Sequence, residues 1–438
     1  MPAATPSPLA TPAPDTLIIG AGPAGLAAAR ALRDHDLPYT HVERHSAAGG
    51  LWDIDNPGSP MYESAHFISS KTLSGFTGFP MPERYPDYPR HDQVLAYLRA
   101  FADHYGLTER IGFDTAVESV TRGEDGTYTA TYADGTTSTH AHVIAATGVQ
   151  WDPNVIDIPG FSGEVRHSVT YRDASEFEGR RVLVIGAGNS GCDIACDAAI
   201  AADEAAISLR RGYWFIPKHV FGMPSDVFAD NGPSMPMSVE QAVFGRLLRV
   251  IVGDLTRLGL QKPDHKVFET HPILNDQLLH HLRHGDIAAK PGLAQADGTT
   301  VTFADGTSGD YDLIILATGY HHTVPYAQEL FGADQHPDLY LTAFARTPGL
   351  YGVGFVETNA GAYKHMEELA AMVASHIWDR EHRPAQWERF ERHVQRDRPD
   401  LSGGIDFVDS PRHEGYVDSA TLHKYCRMVA GKMGWELP

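Results

Sequence analysis

Two short apolar runs in this chain each lead directly into a glycine-rich turn. The run at 16–19 precedes Gly20-Ala21-Gly22-Pro23-Ala24-Gly25, and the run at 181–185 precedes Gly186-Ala187-Gly188-Asn189-Ser190-Gly191. An Ala-rich stretch after each turn predicts a helix, and the two predicted helices cover 26–33 and 192–202. A strand, a GxGxxG turn and a helix in this order begin a Rossmann unit, which binds dinucleotides.

The two halves also end alike. Asp134-Gly135-Thr136 predicts a hairpin turn, and the apolar run after it ends in Ala146-Thr147-Gly148; Asp305-Gly306-Thr307 is likewise followed by a run that ends in Ala317-Thr318-Gly319. The spacing from Asp to Thr is thirteen residues in both copies, from 134 to 147 and from 305 to 318. The repeat predicts an α/β fold with two Rossmann-like dinucleotide-binding domains, the second inserted into the first.

The first turn is expected to hold a pyrophosphate over the amino end of a helix that begins near Pro23. Free backbone N–H groups and the helix dipole favour an anion there. Glycines at 20, 22 and 25 allow the backbone to approach the phosphates without a Cβ in the way.

The end of the second strand in each unit indicates which ribose is bound. Glu43 lies 23 residues after Gly20, where a carboxylate accepts hydrogen bonds from both ribose hydroxyls and repels a 2′-phosphate. Arg210 lies 24 residues after Gly186, where a guanidinium suits a 2′-phosphate. The sequence therefore predicts FAD in the first domain and NADPH in the second, with a solvated surface charge at Arg210, or a role shared with Arg211 or Lys218, as alternatives.

These assignments divide the chain into four segments. We predict a disordered leader at 1–15, the first segment of the FAD-binding domain at 16–165, an NADPH-binding domain at 166–320 and the second segment of the FAD-binding domain at 321–438.

The cysteines argue against disulfide reductase chemistry. Cys192 and Cys196 are at i and i+4 on the second predicted helix, where a bridge would strain the helix, and they do not lie beside the flavin. We therefore interpret them as packing residues.

Composition narrows the partners and the compartment. The chain has 438 residues and a net charge of −21, which disfavours nucleic acid and anionic membranes as partners. Its three cysteines indicate a reducing compartment, and the leader lacks the pattern of a signal peptide, so we expect a cytoplasmic protein. No apolar run reaches the ~18 residues that a membrane helix needs.

A segment between the two units, Phe161 to Tyr171, matches the pattern FxGxxxHSxxY. With it, the chain resembles the flavin-containing monooxygenases that carry one FAD and use NADPH. The other motifs that carry the resemblance are GAGPAG at 20–25, Glu43, GGLW at 49–52, the stretch 62–82, GAGNSG at 186–191, SLRRGYW at 208–214 and ATGY at 317–320.

The resemblance implies a reaction. In that family NADPH reduces the flavin and O₂ adds at C4a, and the resulting (hydro)peroxyflavin oxygenates a small organic substrate. The expected reaction is N- or S-oxygenation, or Baeyer–Villiger oxidation. An NADPH oxidase or a flavin-dependent reductase with another acceptor is the alternative, and a flavin-binding redox sensor is a third, non-enzymatic one.

The resemblance also assigns residues. The cofactor-binding set is Gly20, Ala21, Gly22, Pro23, Ala24, Gly25, Glu43, Arg44, Gly50, Leu51, Trp52, Val117, Thr147, Gly148, Gly186, Gly188, Asn189, Ser190, Gly191, Arg210, Thr318 and Gly319. His167 is expected to be a structural or gating residue at the domain junction, with a direct acid–base role as the alternative.

One departure from the family concerns the expected reaction site. Members that oxygenate amines and sulfides carry an Asn where this chain has Ile68. Ile68 offers only shape and dryness, so His66, Ser69 or Ser70 is expected to supply the polar group. Loss of the Asn disfavours simple amine or sulfide oxygenation and favours the oxidase alternative.

The remaining regions give weaker signals. The stretch 349–355 predicts a strand, and 361–377 predicts a helix whose N-terminus the resemblance places near the pyrimidine end of the flavin. Phe221 to Asp286 is expected to wall the substrate pocket or to form a homodimer contact. His280 and His284 have helical spacing without a carboxylate pattern, so no metal site is predicted.

Overall fold

The computed structural model describes residues 15–232, 235–271, 273–332, 336–410, 413 and 415–438. The predicted leader therefore lies outside the described residues except for Asp15. The carboxylate of Asp15 accepts a hydrogen bond from Thr40 Oγ1 at 2.6 Å, and its carbonyl accepts one from the Ala141 N–H at 2.9 Å. Because these bonds tie Asp15 to the first sheet, it does not belong to a disordered leader.

The first sheet has seven strands, which come from both halves of the chain. In spatial order they are Leu339–Tyr340, Phe344–Ala345, Leu350–Gly352, His142–Ala145, Thr16–Ile19, Tyr39–Val42 and Ile111–Gly112. The last five are mutually parallel, and the first two join them as an antiparallel edge. The strand predicted at 349–355 is thus present at 350–352 and returns the chain to this sheet.

The second sheet has five parallel strands. Their order is Ile287–Lys290, Glu204–Ser208, Arg181–Ile185, Leu313–Leu316 and Glu164–His167. Along the chain it lies between the strands that begin the first sheet and those that complete it, so the second domain is inserted into the first, as predicted. Its edge strand at 164–167 spans the predicted division between residues 165 and 166.

Helices cover the sheets as the apolar pattern predicts. The helix predicted at 26–33 is present at Pro23–Asp34, and the one predicted at 192–202 at Asn189–Ala201. The helix expected from 361 is Tyr363–His382, which packs with Pro23–Asp34 in one apolar core. The other helices are Lys71–Ser74, His91–His104, Ser225–Asp230, Met237–Ile251, Gln277–His284, Gln328–Phe331, Pro384–Arg396 and Ser419–Met433.

Each domain also carries a three-stranded antiparallel sheet with the predicted hairpin turn. The strands are Val117–Arg122, Tyr128–Tyr132 and Thr137–His140 in the first, and Leu293–Asp297, Thr300–Phe303 and Ser308–Asp310 in the second. Asp134 and Asp305 each accept a hydrogen bond from the N–H two residues later at 2.9 Å. Both turns are confirmed.

Candidate active site

The first glycine-rich turn is shaped by contacts that no side chain can share. Gly20 has φ +107°, and a Cβ there would lie 2.6 Å from the Ala146 carbonyl oxygen. A Cβ on Gly25 would lie 1.8 Å from the Gly20 carbonyl oxygen. Because both distances are far below van der Waals contact, these two positions require glycine for the turn itself.

Gly22 has a different environment, which suits phosphate binding. A Cβ there would meet Gly50 Cα at 3.4 Å, an ordinary contact, and the helix Pro23–Asp34 begins immediately after it. The first N–H groups of a helix have no acceptor within it, so those of Ala24 and Gly25 are available to an anion. Gly50 opens the short 3₁₀ helix Gly50–Trp52 opposite. The turn therefore fits the pyrophosphate of FAD.

Glu43 is buried at the end of the strand Tyr39–Val42. Its Oε2 accepts a hydrogen bond from the Ala21 N–H at 2.6 Å, and its Oε1 accepts one from the His45 N–H at 3.0 Å. Each oxygen keeps a further lone pair, so the carboxylate is fixed in place and still able to accept from ribose hydroxyls.

Arg44, the residue after Glu43, contacts the ring of Trp151, which is not among the predicted site residues. Its guanidinium lies 4.4 Å from the centre of the Trp151 ring, and a Cβ on Gly148 would be 3.3 Å from Trp151 Nε1. Trp151 thus joins the end of the second strand to the predicted cofactor residues Thr147 and Gly148. Its only sequence signal is its position three residues after Gly148.

The second turn repeats the geometry of the first. Gly186 has φ +111°, and a Cβ there would be 2.4 Å from the Ala317 carbonyl oxygen; one on Gly191 would be 2.2 Å from the Gly186 carbonyl oxygen. Gly188 caps the helix Asn189–Ala201, and the Asn189 side-chain oxygen accepts from the Leu274 N–H at 3.1 Å.

Arg210 lies two residues beyond the strand Glu204–Ser208 and is exposed. Its stem lies against Gly292, where a Cβ would be 3.4 Å from Arg210 Cγ. Across the described residues, its guanidinium has no ion pair or hydrogen bond. The alternative residue Lys218 is engaged elsewhere, because its ammonium lies 5.1 Å from the centre of the Tyr88 ring. Arg210 is therefore the freer cation for a 2′-phosphate.

His167 lies at the start of the inserted domain, beside the segment that connects it to the FAD-binding domain. Its Nε2 donates a hydrogen bond to the Gly319 carbonyl at 3.1 Å, and its Nδ1 accepts one from the Val169 N–H at 3.1 Å. Burial lowers the pKa of this imidazole, so the neutral ring is favoured. The Gly319 carbonyl also accepts from the Asn154 N–H at 2.9 Å, and the strand Tyr320–His321 pairs with Asp152–Pro153.

Of the three polar side chains expected at the reaction site, those of His66 and Ser69 make local hydrogen bonds, whereas the buried Ser70 Oγ has no partner among the described residues. His66 Nδ1 lies 2.7 Å from the Ser64 carbonyl oxygen, and Ser69 Oγ accepts a hydrogen bond from Ser74 Oγ at 2.7 Å. The Ser70 N–H donates to Asp226 Oδ2 at 2.6 Å, which fixes the segment against the inserted domain. Ile68, by contrast, is 37% exposed.

A polar contact between the domains was not apparent in the sequence. Tyr62 donates its hydroxyl hydrogen to Asp193 Oδ2 at 3.0 Å, and Ser64 donates to Asp197 Oδ2 at 2.5 Å. Asn275 Nδ2 donates to Asp193 Oδ1 at 2.6 Å. Burial raises the pKa of Asp193 from 3.8 to about 6. Asp193 and Asp197 both lie on the helix Asn189–Ala201, which follows the second glycine-rich turn.

A cavity of about 1570 Å³ adjoins the segment at 66–70. Its walls come from four stretches of the chain, 71–83, 216–274, 359–368 and 418–427, and from Gly403 and Pro438. One side is apolar and includes Phe228, Phe244 and Leu248. The stretch predicted to wall a pocket, Phe221 to Asp286, therefore contributes to this cavity.

The three described cysteines are free and buried, so the packing interpretation is confirmed and no disulfide reaches the flavin site. None of the helices in the described ranges is long and apolar enough to cross a bilayer.

Two Rossmann units, one with Glu43 and one with Arg210 at the end of its second strand, define an oxidoreductase that binds a flavin dinucleotide and a nicotinamide dinucleotide. The family model described as flavin-binding monooxygenase-like matches residues 14–384. This chain belongs to that family. It is an FAD-dependent monooxygenase that uses NADPH and O₂ on small substrates.

Individual relatives agree with this assignment. Flavin-containing monooxygenase 5 of Rattus norvegicus is 29% identical over 432 residues, which cover 92% of this chain and 80% of the relative. Indole-3-pyruvate monooxygenase YUCCA1 of Oryza sativa subsp. japonica is 29% identical, covering 78% and 87%. The crystal structure of Tmm from Pelagibacter sp. strain HTCC7211 matches with a TM-score of 0.68 at 19% identity, covering 97% and 86%, and supports the fold. The oxidase or reductase alternative is not favoured.

Proposed function

We propose that the substrate is oxygenated where the cavity meets the segment His66–Ser70. The observation that carries this proposal is the position of the cavity. Lys71, Thr72 and Leu73, which follow that segment directly, line it. Gly361, just before the helix Tyr363–His382, also lines it. A substrate there would lie between the predicted flavin site and the inserted domain.

The chain's own residues would act by binding, orienting and excluding water. Gly22, Gly50 and the helix start at Pro23 would hold the pyrophosphate of FAD, Glu43 its ribose, and Arg210 the 2′-phosphate of NADPH. The bound flavin supplies the two-electron chemistry that activates O₂. Phe228, Phe244 and Leu248 would exclude water from the apolar side of the cavity. His167 would position the loop at Thr318 and Gly319 rather than transfer a proton, since both of its ring nitrogens are already bonded.

We propose a substrate with an apolar body that packs against Phe228, Phe244 and Leu248 and presents a sulfide, amine or ketone to the reaction site. The cavity exceeds the ~300–1,000 Å³ usual for small-molecule sites, so a bulky substrate fits. The absence of an amide at Ile68 favours the ketone, which makes Baeyer–Villiger oxidation the first reaction to test.

The test measures NADPH consumed against product formed under ¹⁸O₂, with a panel of bulky ketones, sulfides and tertiary amines. We expect one ¹⁸O atom in the product and nearly one NADPH per product for at least one compound. Formation of H₂O₂ alone with the whole panel would contradict the proposal.

A pair of variants on one helix locates the substrate. Leu248→Trp fills the cavity, whereas Val243→Trp changes a residue on the same helix that is 44% exposed and does not line the cavity. We expect Leu248→Trp to lower product formation at least 10-fold while NADPH still reduces the bound FAD, and Val243→Trp to resemble the wild type. Equal activities of the two variants would place the substrate elsewhere.

We further propose a cytoplasmic location and a homodimer. The three free, buried thiols support a reducing compartment. Phe221 and Val250 are more than four-fifths exposed, which supports a contact between two copies through the inserted domain. Sedimentation equilibrium of the FAD-loaded protein and of Val250→Asp would test the dimer, which the substitution should weaken.

A further inference from the structure

A hydroxyl, an imidazole and a carboxylate lie next to one another in the part of the cavity wall that 359–368 and 418–427 contribute. Ser419 Oγ lies 2.7 Å from His365 Nε2, and His365 Nδ1 lies 3.5 Å from Glu368 Oε2. All three residues line the cavity. The order of groups, hydroxyl to imidazole to carboxylate, is that of a nucleophile, a general base and a positioning carboxylate.

Rigid elements hold these groups. His365 and Glu368 are one turn apart on the helix Tyr363–His382 and are each 5% exposed, whereas Ser419 is the first residue of the helix Ser419–Met433. Glu368 Oε1 is bonded at 2.5 Å to Nδ1 of His423, whose Nε2 accepts from Arg427. The 3.5 Å distance from His365 Nδ1 to Glu368 Oε2 is longer than a hydrogen bond, as catalytic hydrogen bonds often are in a structure without substrate.

The backbone beside Ser419 offers a donor for an oxyanion. The Ser419 N–H donates to Asn359 Oδ1 at 3.0 Å, and the Thr421 N–H donates to Asp418 Oδ2 at 2.9 Å. Between them, the Ala420 N–H has no acceptor in the part of the chain that the structure describes. It belongs to the residue after the serine and to the amino end of a helix, where N–H groups stabilise negative charge.

We propose that Ser419, His365 and Glu368 form an esterase site that hydrolyses small carboxylic esters with an apolar group. Ser419 Oγ attacks the carbonyl carbon while its proton passes to His365 Nε2. The C–O bond of the ester breaks, and the alcohol leaves with that proton. Water then attacks the acyl-serine through His365, releasing the carboxylic acid and restoring Ser419. The sum is ester plus water giving acid plus alcohol, without NADPH or O₂.

The site can be tested on the FAD-loaded enzyme without NADPH, so the result does not depend on oxygenation. A fluorophosphonate probe should label one serine, which peptide mass mapping should identify as Ser419. p-Nitrophenyl butyrate should be hydrolysed above the uncatalysed rate. Absence of both labelling and hydrolysis would overturn the proposal and leave the Ser419–His365 bond as a purely structural link between two helices.

Variants separate the roles. Ser419→Ala should abolish labelling, and His365→Gln should slow hydrolysis roughly 10²–10⁴-fold, the usual contribution of a general base. Glu368→Gln should slow labelling, whereas Glu368→Asp should restore part of the rate, which a change in packing alone would not do. Labelling that persists in Ser419→Ala would overturn the assignment.

A matched control serine lines the same cavity. Ser225 donates its hydroxyl hydrogen to the Pro217 carbonyl and has no imidazole beside it. Ser225→Ala should label and hydrolyse like the wild type. NADPH oxidation by each variant reports whether it is folded. A variant that loses esterase activity together with NADPH oxidation is replaced by Ser419→Asn, which keeps a polar side chain at this position but has no nucleophilic hydroxyl. Full ester turnover by Ser419→Asn would contradict a serine nucleophile.

Discussion

Tyr62 and Asp193 join the two nucleotide domains through a hydrogen bond of 3.0 Å from the tyrosine hydroxyl to Asp193 Oδ2. Tyr62 precedes the expected reaction site by a few residues, and Asp193 stands in the helix after the second glycine-rich turn. The contact therefore couples the position of the segment that leads to 66–70 to that of the inserted domain, and it depends on the charge of the Asp193 carboxyl group.

Asp193→Asn should change how stability depends on pH. Because the folded protein raises the pKa of Asp193 from 3.8 to about 6, the folded state binds more protons than the unfolded state between these values, and this residue's contribution to stability falls as pH rises from 4 to 6. A pKa change of this size corresponds to about 1–3 kcal/mol for this half-buried group. Melting temperatures measured from pH 4 to 8 should show Asp193→Asn gaining on the wild type up to about pH 6. Tyr62→Phe is the control, because it keeps the titrating carboxyl group. Its melting temperature should lie below that of the wild type without approaching it as the pH rises. A constant difference in melting temperature between Asp193→Asn and the wild type from pH 4 to 8 would contradict the prediction.

Arg210→Ala should impair the use of NADPH and spare NADH. Hydrogen bonds to a charged phosphate contribute about 1.5–3 kcal/mol, so KM for NADPH should rise roughly 10- to 150-fold. Steady-state kinetics with both nucleotides measure this directly. Arg211→Ala is the control, and a larger effect there would transfer the 2′-phosphate contact to Arg211.

Gly22→Ala and Gly25→Ala should fail in different ways. A Cβ on Gly25 would overlap the Gly20 carbonyl oxygen at 1.8 Å, so Gly25→Ala should lower the yield of folded protein. A Cβ on Gly22 meets nothing closer than 3.4 Å, so Gly22→Ala should fold and yet bind less FAD, since the methyl group occupies the approach to the phosphates. Circular dichroism and the flavin-to-protein absorbance ratio distinguish the two. Normal FAD content in Gly22→Ala would remove this residue from the phosphate site.

His167→Ala should weaken the domain junction without changing the pH profile of catalysis. The substitution leaves the Gly319 carbonyl and the Val169 N–H without their imidazole partner, at a cost of about 1–3 kcal/mol. Thermal unfolding should detect the loss. Disappearance of one limb of the kcat profile in the variant would instead assign His167 an acid–base role.

Ile68→Asn should improve oxygenation of sulfides relative to ketones. Because Ile68 is 37% exposed, the substitution should alter stability by no more than about 0.5 kcal/mol. An amide at this position adds a hydrogen-bond donor beside the expected flavin site. The ratio of sulfoxide formed to NADPH consumed measures the gain, and an unchanged ratio would show that this position does not control the reaction.

The sequence by itself determined the features of this protein that depend on residues close together along the chain. The glycines of both turns, the two Asp-Gly-Thr hairpins and the contrast between Glu43 and Arg210 are each encoded within a few tens of residues. Backbone geometry and charge at these positions have few solutions, so the two domains, their cofactors and the insertion of one domain into the other followed from the pattern.

Only the tertiary structure determined the cavity and the side-chain contacts between distant segments of the chain. The cavity is built from segments as distant as 71–83 and 418–427, and the pairs Tyr62–Asp193 and His365–Ser419 join residues 131 and 54 positions apart. No periodicity or spacing in the sequence encodes such contacts, because they arise from the way whole helices pack. The sequence thus established that FAD and NADPH bind, while the packing of distant helices formed a cavity lined by residues of both domains.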